Sequence, residues 1–158
     1  MSIEDDIEFF ERVPTLALLG REALRILAIG AESRYVNAGD VLCHQGQPVD
    51  AGYVVQEGSF RLTRGGESDA TARTAGEGAI IGEIALLIDS QSPFTATARQ
   101  ASTVIRIPRT LFVKMLEGYP DAAARLRDSL LALTEQTARD MRSMRGKLGG
   151  GADEADAD

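Results

Sequence analysis

The segment Gly82 to Ala98, GEIALLIDSQSPFTATA, joins a glycine and a carboxylate to an apolar run and then to a strand of small residues. Gly82 lets the backbone approach a ligand closely, and a short helical turn that begins near it would direct backbone N–H groups at an anion. Glu83 adds two acceptor oxygens. The segment contains no lysine or arginine. It therefore has the form of an anion-binding turn without the cation that such a turn normally has.

Short apolar runs lie on both sides of this segment, and turn residues separate them at intervals of roughly ten residues. The clearest runs are Val41–Cys43, Gly52–Val55, Phe60–Thr63, Phe94–Ala98 and Thr103–Ile107. Glycines at turn positions and short, evenly spaced strands are typical of an all-β barrel or sandwich. We predict about eight such strands in the middle of the chain.

Helices flank the predicted strands. Apolar residues spaced by three and four indicate two amphipathic helices before them, separated by Pro14 and Gly20; these residues are Ile3, Ile7, Phe10, Leu24, Leu27 and Ala28. After the strands we expect a short helix to Glu117, a break at Gly118, and a long helix over about 119–147 that Pro120 starts. We therefore predict one domain over 1–147, followed by a disordered acidic tail over 148–158.

Composition and charge restrict the class of protein. The 158-residue chain has a net charge of −7, and four carboxylates lie in its last ten residues. The remainder is only mildly acidic, which gives no electrostatic footprint for nucleic acid. No apolar run is long enough for a membrane span, and an acidic N-terminus is not a signal peptide. We expect a soluble, cytoplasmic protein that contacts no membrane.

The order and motifs of these segments resemble those of the cyclic-nucleotide-binding domains of the catabolite-activator and protein-kinase-A regulatory type. FFERVPTLALLGREALRILA is similar to the entry helices, AGDVLCHQGQPVDAGYVVQEGSFRLT to the glycine-punctuated strands, and IGEIALL to the start of the phosphate-binding cassette. The resemblance covers the chain from Phe9 to about Arg145. It implies a mainly β jelly-roll barrel with N-terminal helices and a long C-terminal helix.

The resemblance also implies a ligand site and a defect in it. The candidate cassette residues are Gly82, Glu83, Ile84, Ala85, Ser92, Pro93 and Thr95. The resemblance implies that Glu83 binds a ribose hydroxyl of the ligand. Counting from Gly82, the arginine that pairs with the cyclic phosphate falls on Ser92, and the small residue after it falls on Pro93, which has no N–H. Cyclic AMP and cyclic GMP are thus candidate ligands for which we expect weak or no binding.

A structural interpretation of the same residues stays open: Gly82 as an ordinary turn residue and Glu83 as the acid at a helix start. It explains the glycine and the glutamate, but it explains less well why Ile84, Ala85, Leu86 and Leu87 follow them. Arg61, Arg64, Arg73 and Arg99 are candidates for a replacement cation. We expect each of them to lie on a solvated face, where most surface arginines are found.

The long helix carries a candidate interface. Leu126, Leu130, Leu133, Thr137, Met141 and Met144 follow steps of three and four, close to the seam of a coiled coil. The equivalent helix of the family pairs two subunits. We predict a homodimer held by Leu126, Leu130, Leu133 and Met141, with packing of the first turns on the chain's own barrel as the alternative.

An enzymatic function finds little support. Jelly-roll enzymes bind catalytic metals through clustered histidines, whereas this chain has one histidine, His44, next to its one cysteine, Cys43. Neighbouring strand residues point to opposite faces, so the two cannot share a metal in a regular strand. We expect Cys43 to lie in the core and His44 at the surface. No nucleophile has an evident base, so we predict no catalytic residue, no metal site and no enzyme.

Two functional hypotheses remain. The first is a stand-alone regulatory module of the cyclic-nucleotide-binding fold that responds to a ligand or a protein partner through its C-terminal helix. The second is an interaction or scaffold protein that keeps the fold and binds no small molecule. Glycines and an acidic tail follow the long helix in this sequence, where related transcription factors have a helix-turn-helix domain, so we expect no direct DNA binding.

Overall fold

The computed structural model describes residues 2–65, 72–132 and 138–142. Three helices come first: α1 (Ile3–Glu11), α2 (Pro14–Ala17) and α3 (Arg21–Gly30). Ten strands follow within the described residues: β1 (Glu32–Val36), β2 (Val41–Cys43), β3 (Pro48–Val49), β4 (Ala51–Glu57), β5 (Phe60–Thr63), β6 (Arg73–Ala75), β7 (Ile80–Ile81), β8 (Ser90–Gln91), β9 (Thr95–Ala98) and β10 (Ser102–Pro108). A 3₁₀ turn, Glu83–Leu86, lies between β7 and β8. Helix α4 (Arg109–Gly118) and helix α5 (120–132) come last, and 138–142 is also helical.

The strands form two antiparallel four-stranded sheets and one short pair. The first sheet has the order β1-β10-β4-β7, the second the order β2-β9-β5-β6, and β3 pairs with β8. One buried cluster contains side chains from both large sheets, including Val55 and Val104 of the first and Phe60 and Ala96 of the second. The two sheets therefore pack face to face, and the predicted mainly β jelly-roll with flanking helices is confirmed.

The helices cover the outer face of the first sheet. Val54, Ile105 and Ile107 of that sheet belong to a second buried cluster, which they share with α1, α2, α3, α4 and the start of α5. Alternation along β10 explains the division, because Val104 points to the space between the sheets and Ile105 points to the helices. Leu86 of the 3₁₀ turn is in the helical cluster. The 3₁₀ turn therefore packs against the helices through Leu86.

The N-terminal segment differs in detail from the prediction. Pro14 does not simply separate two helices, because it occupies the first position of the short helix α2, where the missing N–H costs nothing. Ser2 and Asp5 form a capping box at the start of α1. Arg21 contacts Glu4 and Glu11 across the helices, although surface pairs of this kind contribute only about 0–1 kcal/mol.

Helix α5 is joined to the N-terminal helices. The Arg125 guanidinium donates to the carbonyl oxygens of Leu18 at 2.6 Å and Leu19 at 3.0 Å. Ala122 and Leu126 are buried in the helical cluster, and Leu130 packs against it. The first turns of α5 are therefore part of the domain. The predicted tail, 148–158, lies outside the described residues.

Two searches of the described residues bear on the function classes. No helix among them is long and apolar enough to cross a bilayer. No group of three or more His, Cys, Asp or Glu side chains is arranged to hold a metal ion within the same part of the chain. Cys43, the last residue of β2, is buried, and His44, which follows the strand, is exposed, as expected for the two residues.

Candidate functional site

The turn after β7 is the structural centre of the candidate site. Gly82 has a φ of 80°, a left-handed conformation that side chains other than glycine rarely adopt. A Cβ atom at this position would also lie 3.3 Å from the carbonyl oxygen of Ala51. Both observations explain why a glycine must precede the 3₁₀ turn, which brings Glu83, Ile84 and Ala85 to the open end of the space between the sheets.

Contacts from β4 and from α4 hold the turn in place. Leu86 packs so closely on Gly52 of β4 that a Cβ atom there would lie 2.8 Å from the Leu86 Cγ. Arg109, at the start of α4, donates to the carbonyl oxygens of Ile88 at 3.0 Å, Val49 at 3.3 Å and Ala85 at 3.5 Å. The Arg109 charge is thus directed at the outer side of the turn. Arg109 is not among the residues that line the cavity described below.

Glu83, the predicted ribose ligand, is turned toward the N-terminal helices. Its Oε1 accepts a hydrogen bond of 2.8 Å from the Thr15 hydroxyl of α2, and the residue is exposed. A carboxylate has about four acceptor sites, so this single bond leaves acceptor capacity on Glu83. The carboxylate lies at the rim of the site.

Ser92, the position where the resemblance places an arginine, is buried with only 5% of its surface exposed. Its hydroxyl donates to the Phe94 carbonyl oxygen at 2.5 Å and lies 3.5 Å from the Cys43 sulfur. The Ser92 backbone is also fixed, because its N–H donates to Gln47 O and its carbonyl accepts from Gly46 N. The Ser92 hydroxyl is therefore used within its own loop.

Pro93 and Thr95, the other two candidates on this side, have different surroundings. Pro93 is exposed and lines the cavity. Thr95 begins β9, and its hydroxyl accepts a 3.0 Å hydrogen bond from the backbone N–H of Gln45. Thr95 does not line the cavity. The structure thus brings six of the seven candidate residues together, and it places Thr95 in the contact between the β2–β3 loop and β9.

A cavity of about 360 Å³ lies between the turn, β8 and the start of β9. Most of its wall is apolar or small. It is lined by Cys43, Val49, Ala51, Tyr53, Ile80, Ile81, Gly82, Glu83, Ile84, Ala85, Ser90, Gln91, Ser92, Pro93 and Phe94. Sequence analysis did not identify Tyr53 or Phe94 as site residues. The pairing of Tyr53 with Ile81, which places the two strands side by side, is not visible in the sequence.

No lysine or arginine is among the described residues that line this cavity. The four candidate replacement arginines do not line it either. Arg64, Arg73 and Arg99 are exposed, as expected, whereas Arg61 of β5 is partly buried, and Arg99 donates to the Thr74 hydroxyl at 3.2 Å. Glu83 is the one charged residue among those that line the described site, and its carboxylate lies at the rim, bonded to Thr15.

Arg106 is a cation next to Tyr53 of the cavity wall that does not itself line the cavity. It pairs with Tyr53 across β10 and β4, so the two side chains share a face of the sheet. Burial lowers the pKa of the Arg106 guanidinium, but hydrogen bonds to Tyr53 and Asp50 and the charge of Asp50 outweigh burial and raise the pKa above its ordinary value. Arg106 is therefore fully charged, and it is engaged by Asp50 at 3.1 Å.

The candidate interface residues divide into two groups. Leu126 is 4% exposed and Leu130 packs against the helical cluster, so both contact their own domain. Met141 is 57% exposed, and Leu133 lies outside the described residues. The alternative that we left open, packing of the first turns on the same chain, describes Leu126 and Leu130.

Comparisons with known proteins agree with this architecture. Residues 33–119 match the family model described as the cyclic nucleotide-binding domain. The cAMP-dependent protein kinase regulatory subunit of Yarrowia lipolytica is 33% identical over 108 residues, which is 68% of this chain and 28% of that protein. Lysophospholipase NTE1 of Coccidioides immitis is 34% identical over 87 residues, which is 54% of this chain and 6% of that protein.

A solved structure gives a similar result. The cyclic nucleotide-binding-like protein of Brucella abortus is 36% identical, and the match covers 72% of this chain and 98% of that chain with a TM-score of 0.62. The chain spans less than a third of the length of the two curated relatives above. The similarity therefore concerns one domain of those larger proteins.

Proposed function

The chain belongs to the cyclic nucleotide-binding domain family, and we propose that it is a regulatory module whose cavity binds cyclic AMP and cyclic GMP weakly or not at all. One observation carries the proposal: the described cavity wall contains no lysine or arginine. A regulatory role is consistent with the relative that is a kinase regulatory subunit. The fungal lysophospholipase matches over only 6% of its length, which supports a non-catalytic module.

Charge explains why the missing cation matters. A cyclic phosphate is an anion, and an anion that leaves water for an apolar cavity needs a partner of opposite charge. Loss of one partner from a buried charge pair costs about 2–5 kcal/mol, or roughly two to four orders of magnitude in affinity. The carboxylate of Glu83 at the rim adds repulsion.

Neither Ser92 nor Pro93, the residues at the positions expected to contact the cyclic phosphate, replaces the missing cation. The Ser92 hydroxyl already donates to Phe94 O, and a neutral donor is about half as strong as a charged one. Pro93 has no N–H to donate. Binding of a cyclic nucleotide would have to rely on the Glu83 carboxylate, on backbone N–H groups of the turn and on apolar contacts.

A movement of the turn would displace side chains that contact helix α5. Glu83, Leu86 and Leu87 of the turn line a small cavity together with Leu126 and Leu130 of α5. We therefore extend the proposal to a module in which a ligand or a protein partner at the turn shifts the C-terminal helix. If the distal part of this helix pairs two subunits in a homodimer, such a shift would change the orientation of one subunit relative to the other.

A second candidate function is that of an interaction protein that binds no small molecule. It is favoured by three large apolar residues exposed beside the mouth of the cavity: Ile84 is 64% exposed, Ile88 is 58% exposed and Leu87 is 37% exposed. Large exposed apolar side chains that are grouped together are typical of protein contact sites.

Introduction of a cation into the cavity wall tests the leading proposal. We expect Ser92→Arg/Pro93→Ala to bind cyclic AMP at least tenfold more tightly than the wild type, because a charge-assisted contact to phosphate is restored. Since arginine at position 92 must displace the Ser92 contact to Phe94, the second variant is Phe94→Arg, at a partly buried wall position. Isothermal titration calorimetry measures the affinity.

Gln100→Arg is the matched control, because it adds the same charge at an exposed position that does not line the cavity. We expect its affinity to equal that of the wild type. Failure of both folded cavity variants to exceed this control would contradict the charge explanation and favour the interaction protein.

A further inference from the structure

We propose that the cavity is a binding site for an uncharged small molecule with an apolar, planar body. The inference rests on the proposed function, since it takes the cavity to have no cation for a phosphate. It adds the chemical class of the ligand that the site accepts. The cavity volume of about 360 Å³ falls in the range of small-molecule sites, about 300–1,000 Å³.

The wall offers apolar surface on several sides. Ile80 and Ile81 come from β7, Ile84 from the 3₁₀ turn, and Val49 and Phe94 from the opposite strands and loop. The Phe94 ring is partly buried and packs against the cluster between the sheets, so its orientation is held by its neighbours. Flat apolar molecules gain both burial and ring contacts on such a wall.

Small residues keep the space open. Ala51, Gly82, Ala85, Ser90 and Ser92 all line the cavity, and none has a side chain large enough to fill it. Gly82 and Ala85 belong to the turn, while Ala51 lies behind it at the start of β4. The open volume therefore results from the choice of residue on several elements.

The polar groups in the wall favour a neutral ligand. The hydroxyl of Ser92 donates to Phe94 O, and Tyr53, paired with Arg106 across β4 and β10, offers a neutral phenol. Glu83 is held by Thr15, and its negative charge disfavours an anion. Ser90 and Gln91, on the short strand β8, are neutral groups suited to a hydroxyl or an amide.

A pair of probes that differ in charge tests the inference. Naphthalene-2-carboxamide and naphthalene-2-carboxylate have nearly the same shape, but only the second is an anion at neutral pH. We would titrate each into the isotope-labelled full chain and follow the backbone amide signals of Gly82, Ala85 and Ser92 by NMR. The expected result is that the carboxamide binds at least about tenfold more tightly than the carboxylate and shifts these signals.

A variant that adds a positive charge at the rim gives a second test. Gln91 is exposed and lines the cavity, so Gln91→Arg adds a cation without burying it. We expect this variant to reduce the preference for the carboxamide at least threefold or to reverse it, by attraction of the carboxylate. Gln100→Arg, with the same charge outside the cavity, should leave the preference unchanged.

Three results would overturn the inference: equal or tighter binding of the carboxylate to the wild type, signal changes confined to residues outside the cavity, or no binding of the carboxamide. The same samples titrated with cyclic AMP separate this inference from the proposed function. Tight binding of cyclic AMP would refute both. Weak binding of cyclic AMP without a preference for the carboxamide would refute this inference alone.

Discussion

Gly52 shows how a single residue fixes the position of the turn. Leu86 lies against its Cα, and a Cβ atom would come within 2.8 Å of Leu86 Cγ and 2.9 Å of Leu86 Cδ2. We therefore expect Gly52→Ala to lower the free energy of unfolding by about 1–3 kcal/mol, the usual cost of overpacking a core. Urea denaturation measures it.

Gly76→Ala is the matched control for that substitution. A Cβ atom at Gly76 would meet nothing within 4 Å, and Gly76 is not among the glycines with positive φ. Its replacement should change stability by less than about 1 kcal/mol, and the change should favour the folded state. Equal losses for the two variants would show that Leu86 does not depend on the glycine.

Single residues of the site were predictable where their role depends on local backbone. Gly82 was identified because a glycine in this motif lets the backbone approach a ligand closely, and the structure adds that its φ is 80°. Tyr53 and Phe94 were not identified, because their place in the wall depends on strand pairing across the sheets. The Thr95 hydroxyl contact with Gln45 N likewise depends on a loop far away in the sequence.

Secondary structure was predictable where the pattern was strong. Phe60–Thr63 and Val41–Cys43 were predicted with the bounds that the structure shows. Strand β1, Glu32–Val36, was missed because four of its five residues are exposed and it lacks an apolar alternation. Strands β7 and β8 contain two residues each, which is too short for any periodicity.

The helical segment 138–142 carries the prediction of a dimer. We expect Met141→Glu to weaken self-association about 100-fold or more, because Met141 is exposed in the single chain and a symmetric pair would bury it twice, at about 1.5–3 kcal/mol each. Leu130 is unsuitable for this test, since it packs against the domain's own core. Sedimentation velocity measures the association.

Leu131→Glu, in helix α5, is the control. Leu131 is 54% exposed and lies off the predicted seam of Leu126, Leu130, Leu133 and Met141, so its substitution should leave association unchanged. A wild type that is monomeric at high micromolar concentration would refute the dimer. Equal effects of the two substitutions would refute the seam.

At the scale of the whole molecule, two separate buried clusters stabilise the fold and hold the two sides of the site. The cluster between the sheets forms the inner end of the cavity, through side chains such as Cys43 and Ile81. The cluster under the helices holds Leu86 of the turn. The turn lies between them, so the cavity wall and the C-terminal helix are joined through one short segment.

The most direct test of the central claim, that the cavity lacks the charge needed to hold a cyclic phosphate, is calorimetric titration of the full wild-type chain with cyclic AMP and cyclic GMP. The absence of a cation from the described wall predicts no measurable heat of binding, or a dissociation constant of tens of micromolar or weaker. Such a constant corresponds to a binding free energy no more favourable than on the order of −6 kcal/mol. A submicromolar dissociation constant for either nucleotide would contradict the account.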